Sequence, residues 1–162
     1  MEFDGKIAEI TIEPKAKRVI KLVFGGAHVS FRCQRCAVFC CKLGGPKLLP
    51  KDIERLKQAG YNPDTFLDAK QASLKSKKDG SCLFLSFNPD EGSHQCSVYY
   101  CRPTFCRLYP FKFEKLHPQS CVLSFIPCCN GLNTQNGEVV NEEFFVKFLQ
   151  AVLFDVIESS AA

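Results

Sequence analysis

Cysteine is the residue type in this chain whose number and spacing suggest chemistry. Eleven of the 162 residues are cysteines, and most of them are clustered. The first cluster spans nine residues and contains Cys33, Cys36, Cys40 and Cys41. The second spans eleven residues and contains Cys96, Cys101 and Cys106. The others are Cys82, Cys121, Cys128 and Cys129. Thiols this close together are candidates for disulfide, metal or catalytic chemistry.

A disulfide framework explains this pattern poorly. An odd number of cysteines always leaves one thiol over. The adjacent pair Cys40–Cys41 has Cα atoms about 3.8 Å apart, which is closer than a relaxed disulfide prefers. The first residues, Met1–Lys6, show neither the basic start nor the apolar stretch of a secretory signal. We therefore expect a cytoplasmic protein whose thiols stay reduced.

Metal binding explains the first cluster better than the burial of separate thiols does. A buried thiol suits Cys101 and Cys121, which lie alone between apolar neighbours. Cys33 and Cys36 have the Cys-x2-Cys spacing, and a turn with this spacing brings both sulfurs to the same side. Their thiolates would repel each other at low dielectric, and a bound metal ion removes that repulsion.

The spacing leaves two kinds of thiolate centre open. Four thiolates in a tetrahedral array suit either zinc or an iron–sulfur cluster. A zinc ribbon has two Cys-x2-Cys pairs, whereas this chain has a single one, Cys33/Cys36. Adjacent residues such as Cys40 and Cys41 cannot easily chelate one ion, but they can serve two neighbouring iron atoms. The spacing therefore favours a cluster or a multinuclear site over an isolated zinc ion.

The composition excludes several other classes of protein. An apolar fraction of 46% with 15 phenylalanines is too high for a disordered chain. A formal charge of +4, scattered along the sequence, is too small for a nucleic-acid-binding protein. No apolar run approaches the roughly 18 residues of a membrane span. We therefore expect one domain over residues 1–162, with neither a nucleic acid nor a membrane as partner.

The elements that must position the cysteines are short. Two β-branched runs joined by a turn predict a hairpin over residues 6–24, and a third strand is predicted over 28–31. Pro50, with Asp52 in the first turn, predicts a helix that ends at Gly60, and Asn62 predicts the cap of a second helix. Further strands are predicted over 81–87, 95–100 and 122–126, a helical turn over 103–107, and a surface loop over 70–80.

The clearest predicted element is a C-terminal amphipathic helix over residues 141–158. Asn141 can cap it, and apolar residues recur at helical spacing at Phe145, Leu149, Val152 and Val156. The sequence therefore predicts an α+β fold: a small single domain with short strands, hairpins and a few helices around a cysteine-ligated metal centre.

One segment carries a specific family pattern, since residues 96–111 read CSVYYCRPTFCRLYPF. It is accompanied, in the expected order, by Phe31–Cys33, Pro50–Ile53, Cys82–Leu85 and Cys129–Leu132. Over residues 31–132 the chain resembles the YkgJ-like cysteine-cluster family, the CxxCxxCC domain described as zinc- or iron-chelating.

The resemblance implies a set of eight ligand thiols, namely Cys33, Cys36, Cys40, Cys41, Cys82, Cys96, Cys106 and Cys129. Eight thiolates fill two four-ligand sites or one larger cluster. The chain departs from the family pattern in having three residues, rather than two, between Cys36 and Cys40. It also has three additional cysteines, Cys101, Cys121 and Cys128, so Cys128 can replace Cys129. Arg102 and Arg107 are candidates to offset thiolate charge and to donate hydrogen bonds to sulfur.

These observations predict an iron–sulfur protein, with a [4Fe-4S] cluster as the simplest choice. It would transfer electrons, or assist a redox or modification enzyme, through an unknown redox or protein partner. The first alternative is a zinc-binding module whose metal is structural and whose surface binds a partner. The second is an enzyme of a protein-modification pathway that uses the centre directly, because related domains occur in flagellin lysine methylases.

Overall fold

A computed structural model describes residues 5–25, 28–34, 44–127 and 129–160 of the chain. Its strands are β1 (Lys6–Glu13), β2 (Arg18–Phe24), β3 (Ser30–Phe31), β4 (Leu67–Asp68), β5 (Ser73–Leu74), β6 (Leu85–Asn88), β7 (Ser93–Cys96), β8 (Phe111–His117), β9 (Ser120–Phe125) and β10 (Glu138–Val139). Its α-helices are α1 (Pro50–Gln58), α2 (Pro63–Phe66), α3 (Thr104–Leu108), α4 (Glu142–Phe144) and α5 (Gln150–Ser160). A 3-10 turn covers Tyr99–Cys101, and a π-helical segment covers Phe145–Leu149. The fold is α+β, as predicted.

The described residues belong to two compact units. The first contains those of Met1–Cys33 and Leu108–Ala162, and the second contains those of Gln34–Arg107. The expectation of one domain over the whole chain stays a prediction. Among the described residues, none of the helices is both long enough and apolar enough to cross a membrane.

The first unit is built on a four-stranded antiparallel sheet with the order β2-β1-β9-β8. The predicted N-terminal hairpin is confirmed, because β1 pairs with β2 across a four-residue turn, 14–17. The side chains of Ile7, Ile10 and Ile12 in β1 are each only 1% exposed, so this strand contributes directly to the core. The predicted strand over 122–126 is β9, while its partner β8 was not predicted.

The predicted C-terminal helix is also confirmed. It runs without interruption through α4, the π-helical segment and α5. The side chain of Asn141 caps its first turn by accepting a hydrogen bond from the Phe144 N–H at 3.0 Å. The four apolar residues on which the prediction rested are all buried: Phe145, Leu149, Val152 and Val156. Burial of this face stabilises the helix, because most helical stability in proteins comes from the tertiary packing of an apolar face.

The second unit has its own hydrophobic core. The buried residues of this core are Leu48, Leu56, Phe66, Leu74, Cys82, Phe84, Leu85 and Val98. Two predicted helices are confirmed as α1 and α2, and the Asn62 side chain caps α2 by accepting the Asp64 N–H at 3.0 Å. The second cysteine cluster begins at Cys96, the last residue of the short hairpin β6–β7.

Two predictions in this unit need correction. The segment 70–80 is not a loop throughout, because Ser73–Leu74 pairs with Leu67–Asp68 and buries the Leu74 side chain in the core. The strand predicted over 95–100 ends at Cys96. Beyond it the Cys101 N–H donates to the carbonyl oxygen of Val98 at 2.9 Å, and this closes the 3-10 turn. Alternating side chains could not reveal either feature, since both depend on core contacts.

Candidate metal centre

The structure describes seven of the cysteines, and each of them carries a thiol. The first unit contains Cys33, Cys121 and Cys129. The second unit contains Cys82, Cys96, Cys101 and Cys106. Three further predicted ligands, Cys36, Cys40 and Cys41, lie outside the described residues, as does Cys128.

Backbone pairing in the first unit brings the segments of Cys33 and Cys129 side by side. Phe31 forms an antiparallel bridge with Leu132, and the Arg32 N–H donates to the Gly131 carbonyl at 2.9 Å. The pairing continues on the other side of Phe31, where β3 pairs with β10. Two predicted ligands that are far apart in sequence therefore lie at the same end of one short antiparallel pairing.

The turn after Cys129 directs a backbone donor at its sulfur. The Gly131 N–H donates to Cys129 Sγ at 3.4 Å, and the Leu132 N–H donates to the Cys129 carbonyl at 3.3 Å. Residue 131 must be glycine here, because a Cβ would lie 2.4 Å from the Arg32 carbonyl oxygen. Backbone N–H groups directed at sulfur stabilise a thiolate and tune the metal that it binds.

Three of the four thiols described in the second unit lie in or against its hydrophobic core. Cys82 is a buried member of that core, and Cys96 and Cys101 pack against it from partly buried positions. Cys96 is the last residue of β7 and pairs with Leu85 of β6. Cys106 is partly buried in α3, where its N–H donates to the Pro103 carbonyl at 3.0 Å. The hairpin β6–β7 and the short helix α3 thus position two of the predicted ligands.

A buried carboxylate links α1 to the start of α3. Asp52 is 0% exposed, and its Oδ1 accepts hydrogen bonds from the Thr104 N–H at 3.0 Å and from Thr104 Oγ1 at 2.7 Å. Arg55 also donates to Oδ1 at 3.0 Å, and the Leu49 N–H donates to Oδ2 at 3.0 Å. The sequence showed Asp52 only as a first-turn acid, and no pattern in it signals the long-range contact with Thr104.

Arg102 and Arg107, the predicted charge partners of the thiolates, both make local contacts. The Arg102 guanidinium lies over the Tyr99 ring, 4.0 Å from its centroid, and its Nε donates to the Tyr99 carbonyl at 3.0 Å. Arg107 donates to Thr104 Oγ1 at 3.4 Å. The two cations flank Cys106 in the sequence, and their role towards sulfur stays a prediction.

The chemistry of the donor set suits a thiophilic metal. Thiolates that accept backbone N–H bonds are typical of zinc and iron–sulfur sites, and Cys129 has such a donor. Across residues 5–25, 28–34, 44–127 and 129–160, no three His, Cys, Asp or Glu side chains come together in a way that could hold an ion. The eight-cysteine ligand set and any role of Cys128 therefore stay predictions.

Cys121 differs from the predicted ligands. It lies in β9, is 3% exposed and pairs with Ile10 of β1. Burial raises the pKa of its thiol from 9.0 to about 11, because the thiolate loses hydration in an apolar environment. Cys121 is thus a neutral core thiol near pH 7, which agrees with the interpretation of this residue as a small hydrophobe.

Comparison with known proteins identifies the family. An uncharacterised protein of Methanocaldococcus jannaschii is 26% identical over 137 residues, which is 77% of this chain and 69% of that protein. No solved structure gives a significant match. The family CxxCxxCC, described as "Putative zinc- or iron-chelating domain", matches residues 32–122. That match covers more than half of the chain and includes seven of the eight predicted ligands, Cys129 lying beyond it. The chain therefore belongs to the CxxCxxCC family of zinc- or iron-chelating domains.

Proposed function

We propose that the chain binds an iron–sulfur cluster through cysteine thiolates and exchanges electrons with a redox or modification partner. The observation that supports a metal-bound thiolate, whichever the metal, is the Cys129 turn, in which the Gly131 N–H points at Sγ from 3.4 Å. A neutral buried thiol is a poor acceptor and needs no such donor, whereas a metal-bound thiolate gains from it. The backbone around Gly131 also orients Cys129.

The preference for a cluster over zinc comes from the adjacency of the cysteines. Adjacent residues such as Cys40 and Cys41 cannot easily chelate one zinc ion, but they can serve two neighbouring iron atoms. Arg102 and Arg107 add positive charge on either side of Cys106, which suits a centre with a net negative charge. Such a centre needs a reducing compartment to keep its cysteines as thiols, and we therefore place the protein in the cytoplasm.

Zinc is the second candidate, and the Cys129 turn favours it equally. A turn that directs an amide at a ligand sulfur suits a tetrahedral zinc site as well as a cluster. In that case the metal is structural, and the function is to hold a surface that binds another protein.

Metal analysis of anaerobically purified protein separates the two candidates. The cluster proposal predicts iron and acid-labile sulfide in the protein, a brown colour, and a paramagnetic resonance signal after reduction. A colourless protein with stoichiometric zinc, no iron and no sulfide would overturn the cluster in favour of the zinc module.

Ligand substitutions test the thiols. Cys106→Ser and Cys36→Ser are expected to lose metal and solubility together, because metal binding and folding are coupled. Cys121→Ser is the matched control, because this buried thiol lies outside the proposed ligand set, and it should keep full metal content. Full metal content in both ligand variants would show that the ligand assignment is wrong.

A further inference from the structure

The second unit contains a buried network of hydrogen bonds around Asp52. This carboxylate accepts more hydrogen bonds than the capping of a helix requires. Asp52 is at the third position of α1, where its Oδ2 accepts the Leu49 N–H at 3.0 Å, and this contact alone satisfies the backbone donor of the N-cap residue. An exposed side chain is sufficient for capping, as Asn62 shows at the start of α2. Asp52 is instead 0% exposed, and a carboxylate in such a place is costly unless several donors surround it.

The additional donors to Asp52 connect the segment 102–104 to α1. Thr104 gives two of them, its N–H at 3.0 Å and its hydroxyl at 2.7 Å from Asp52 Oδ1. Arg55 gives the third at 3.0 Å and also donates to the Arg102 carbonyl at 3.2 Å. Both ends of the segment 102–104 are therefore hydrogen-bonded to side chains of α1.

Cys106 takes its backbone position from this segment. Pro103 lies between Arg102 and Thr104 and is almost completely buried, and its ring restricts φ. Its carbonyl oxygen accepts the Cys106 N–H at 3.0 Å and the Arg107 N–H at 3.0 Å. A continuous set of hydrogen bonds thus runs from α1 through Asp52 and Thr104 to the first turn of α3, where Cys106 lies.

We propose that Asp52 and Thr104 are positioning residues that hold the Cys106 thiolate in the geometry required for metal binding. The inference rests on the proposed function, because it takes Cys106 as a ligand. Some residues do not bind the metal themselves but orient one of its ligands. Their removal changes the metal affinity by about 10–100-fold and alters the spectrum of the bound metal.

The test is a matched pair of substitutions at Thr104, made in the full-length reduced chain and titrated anaerobically with Co²⁺. Thr104→Ser keeps the hydroxyl that donates a hydrogen bond to Asp52. Thr104→Val keeps the shape of the side chain but removes this hydroxyl donor. Thr104→Ser should bind Co²⁺ as the wild type does. Thr104→Val should bind Co²⁺ about tenfold more weakly, with a weaker sulfur-to-cobalt charge-transfer band that approaches the band of Cys106→Ser.

Leu56→Ala is the control for stability alone. Leu56 is a fully buried residue of α1 that packs into the core of the unit, so its truncation weakens the fold without removing a donor of the network. It should lower the unfolding temperature while leaving the cobalt spectrum unchanged. A spectrum altered by Leu56→Ala to the same extent as by Thr104→Val would reduce Thr104 to a structural role and overturn the proposal.

Two further outcomes separate this inference from the proposed function. If the anaerobically purified wild type contains neither iron with sulfide nor zinc and the reduced chain shows no thiolate–cobalt band, the proposed function falls, and the positioning role falls with it. If the wild type shows the band, Cys106→Ser weakens it and Thr104→Val does not, metal binding stands and only the positioning role is overturned.

Discussion

The Arg32 N–H donates a hydrogen bond of 2.9 Å to the carbonyl oxygen of Gly131, although the two residues are far apart in the sequence. This bond lies beside the bridge between Phe31 and Leu132, and it places Cys33 and Cys129 on neighbouring backbone segments. The same glycine donates its N–H to Cys129 Sγ. Gly131 therefore has two roles. Its carbonyl oxygen pairs the two backbone segments, and its N–H donates a hydrogen bond to the sulfur of a predicted ligand.

Substitution of Gly131 tests the importance of this close approach. In Gly131→Ala the new Cβ would lie 2.4 Å from the Arg32 carbonyl oxygen and 2.9 Å from the Phe31 ring. Because backbone has to move, we expect a loss of about 1–3 kcal/mol in the free energy of unfolding, together with weaker metal binding. Denaturant unfolding measures the first and metal analysis the second. Gly25→Ala is the matched control, since a Cβ there meets nothing within 4 Å. Equal stability of the two variants would contradict the expectation.

The choice between Cys128 and Cys129 as ligand follows from the same turn. We expect Cys129→Ser to lose metal and one thiolate's share of the charge-transfer absorption, because it removes the sulfur at which the Gly131 N–H points. Cys128→Ser changes the adjacent residue in the same way and should keep both. The metal content and the absorption of the purified variants distinguish the two cysteines. A loss of both in Cys128→Ser, with neither lost in Cys129→Ser, would assign the ligand to Cys128.

The raised pKa of Cys121 predicts a loss of stability at high pH. The folded chain keeps this proton up to about pH 11, while the unfolded chain releases it near the ordinary pKa of 9.0. The stabilisation is therefore complete below that ordinary pKa and is lost as the pH rises through the folded value, at a rate of at most about 1.4 kcal/mol per pH unit.

Cys121→Ser isolates this effect, because a hydroxyl does not titrate in that range. The difference in the free energy of unfolding between the wild type and Cys121→Ser should become less favourable to the wild type as the pH rises from 9 to about 11. Urea titrations at several pH values measure it. A difference that stays constant over the range would mean that the thiol is hydrated in the folded chain.

Removal of the Asn141 cap should weaken the C-terminal helix without affecting the metal. Asn141→Ala leaves the Phe144 N–H without its side-chain acceptor and should cost about 1 kcal/mol of stability. Asn141→Asp keeps an acceptor and adds a negative charge at the helix N-terminus, so it should retain the wild-type stability. Thermal unfolding distinguishes the variants. A melting temperature of Asn141→Ala equal to that of Asn141→Asp would contradict the importance of the cap.

The elements that were predicted correctly are those whose signals are local. The caps Asn62 and Asn141 act on the first turns of their own helices, and the N-terminal hairpin joins neighbouring strands. The strand β8 was missed, although its phenylalanines Phe111 and Phe113 alternate with polar residues, because Pro110 immediately before it suggested a turn. The π-helical segment at Phe145–Leu149 carries no sequence signal at all, since its side chains keep helical spacing.

The sequence by itself determined the family and the α+β class, since both follow from residue types and local spacing. The eight ligand thiols stay a prediction that the resemblance implies. The tertiary structure decided which distant segments meet. The Arg32–Gly131 pairing and the contact of Asp52 with Thr104 join positions separated by tens of residues. Local propensities cannot specify such partners, because the stabilisation comes from hydrogen bonds between groups that only the folded chain brings within hydrogen-bonding distance.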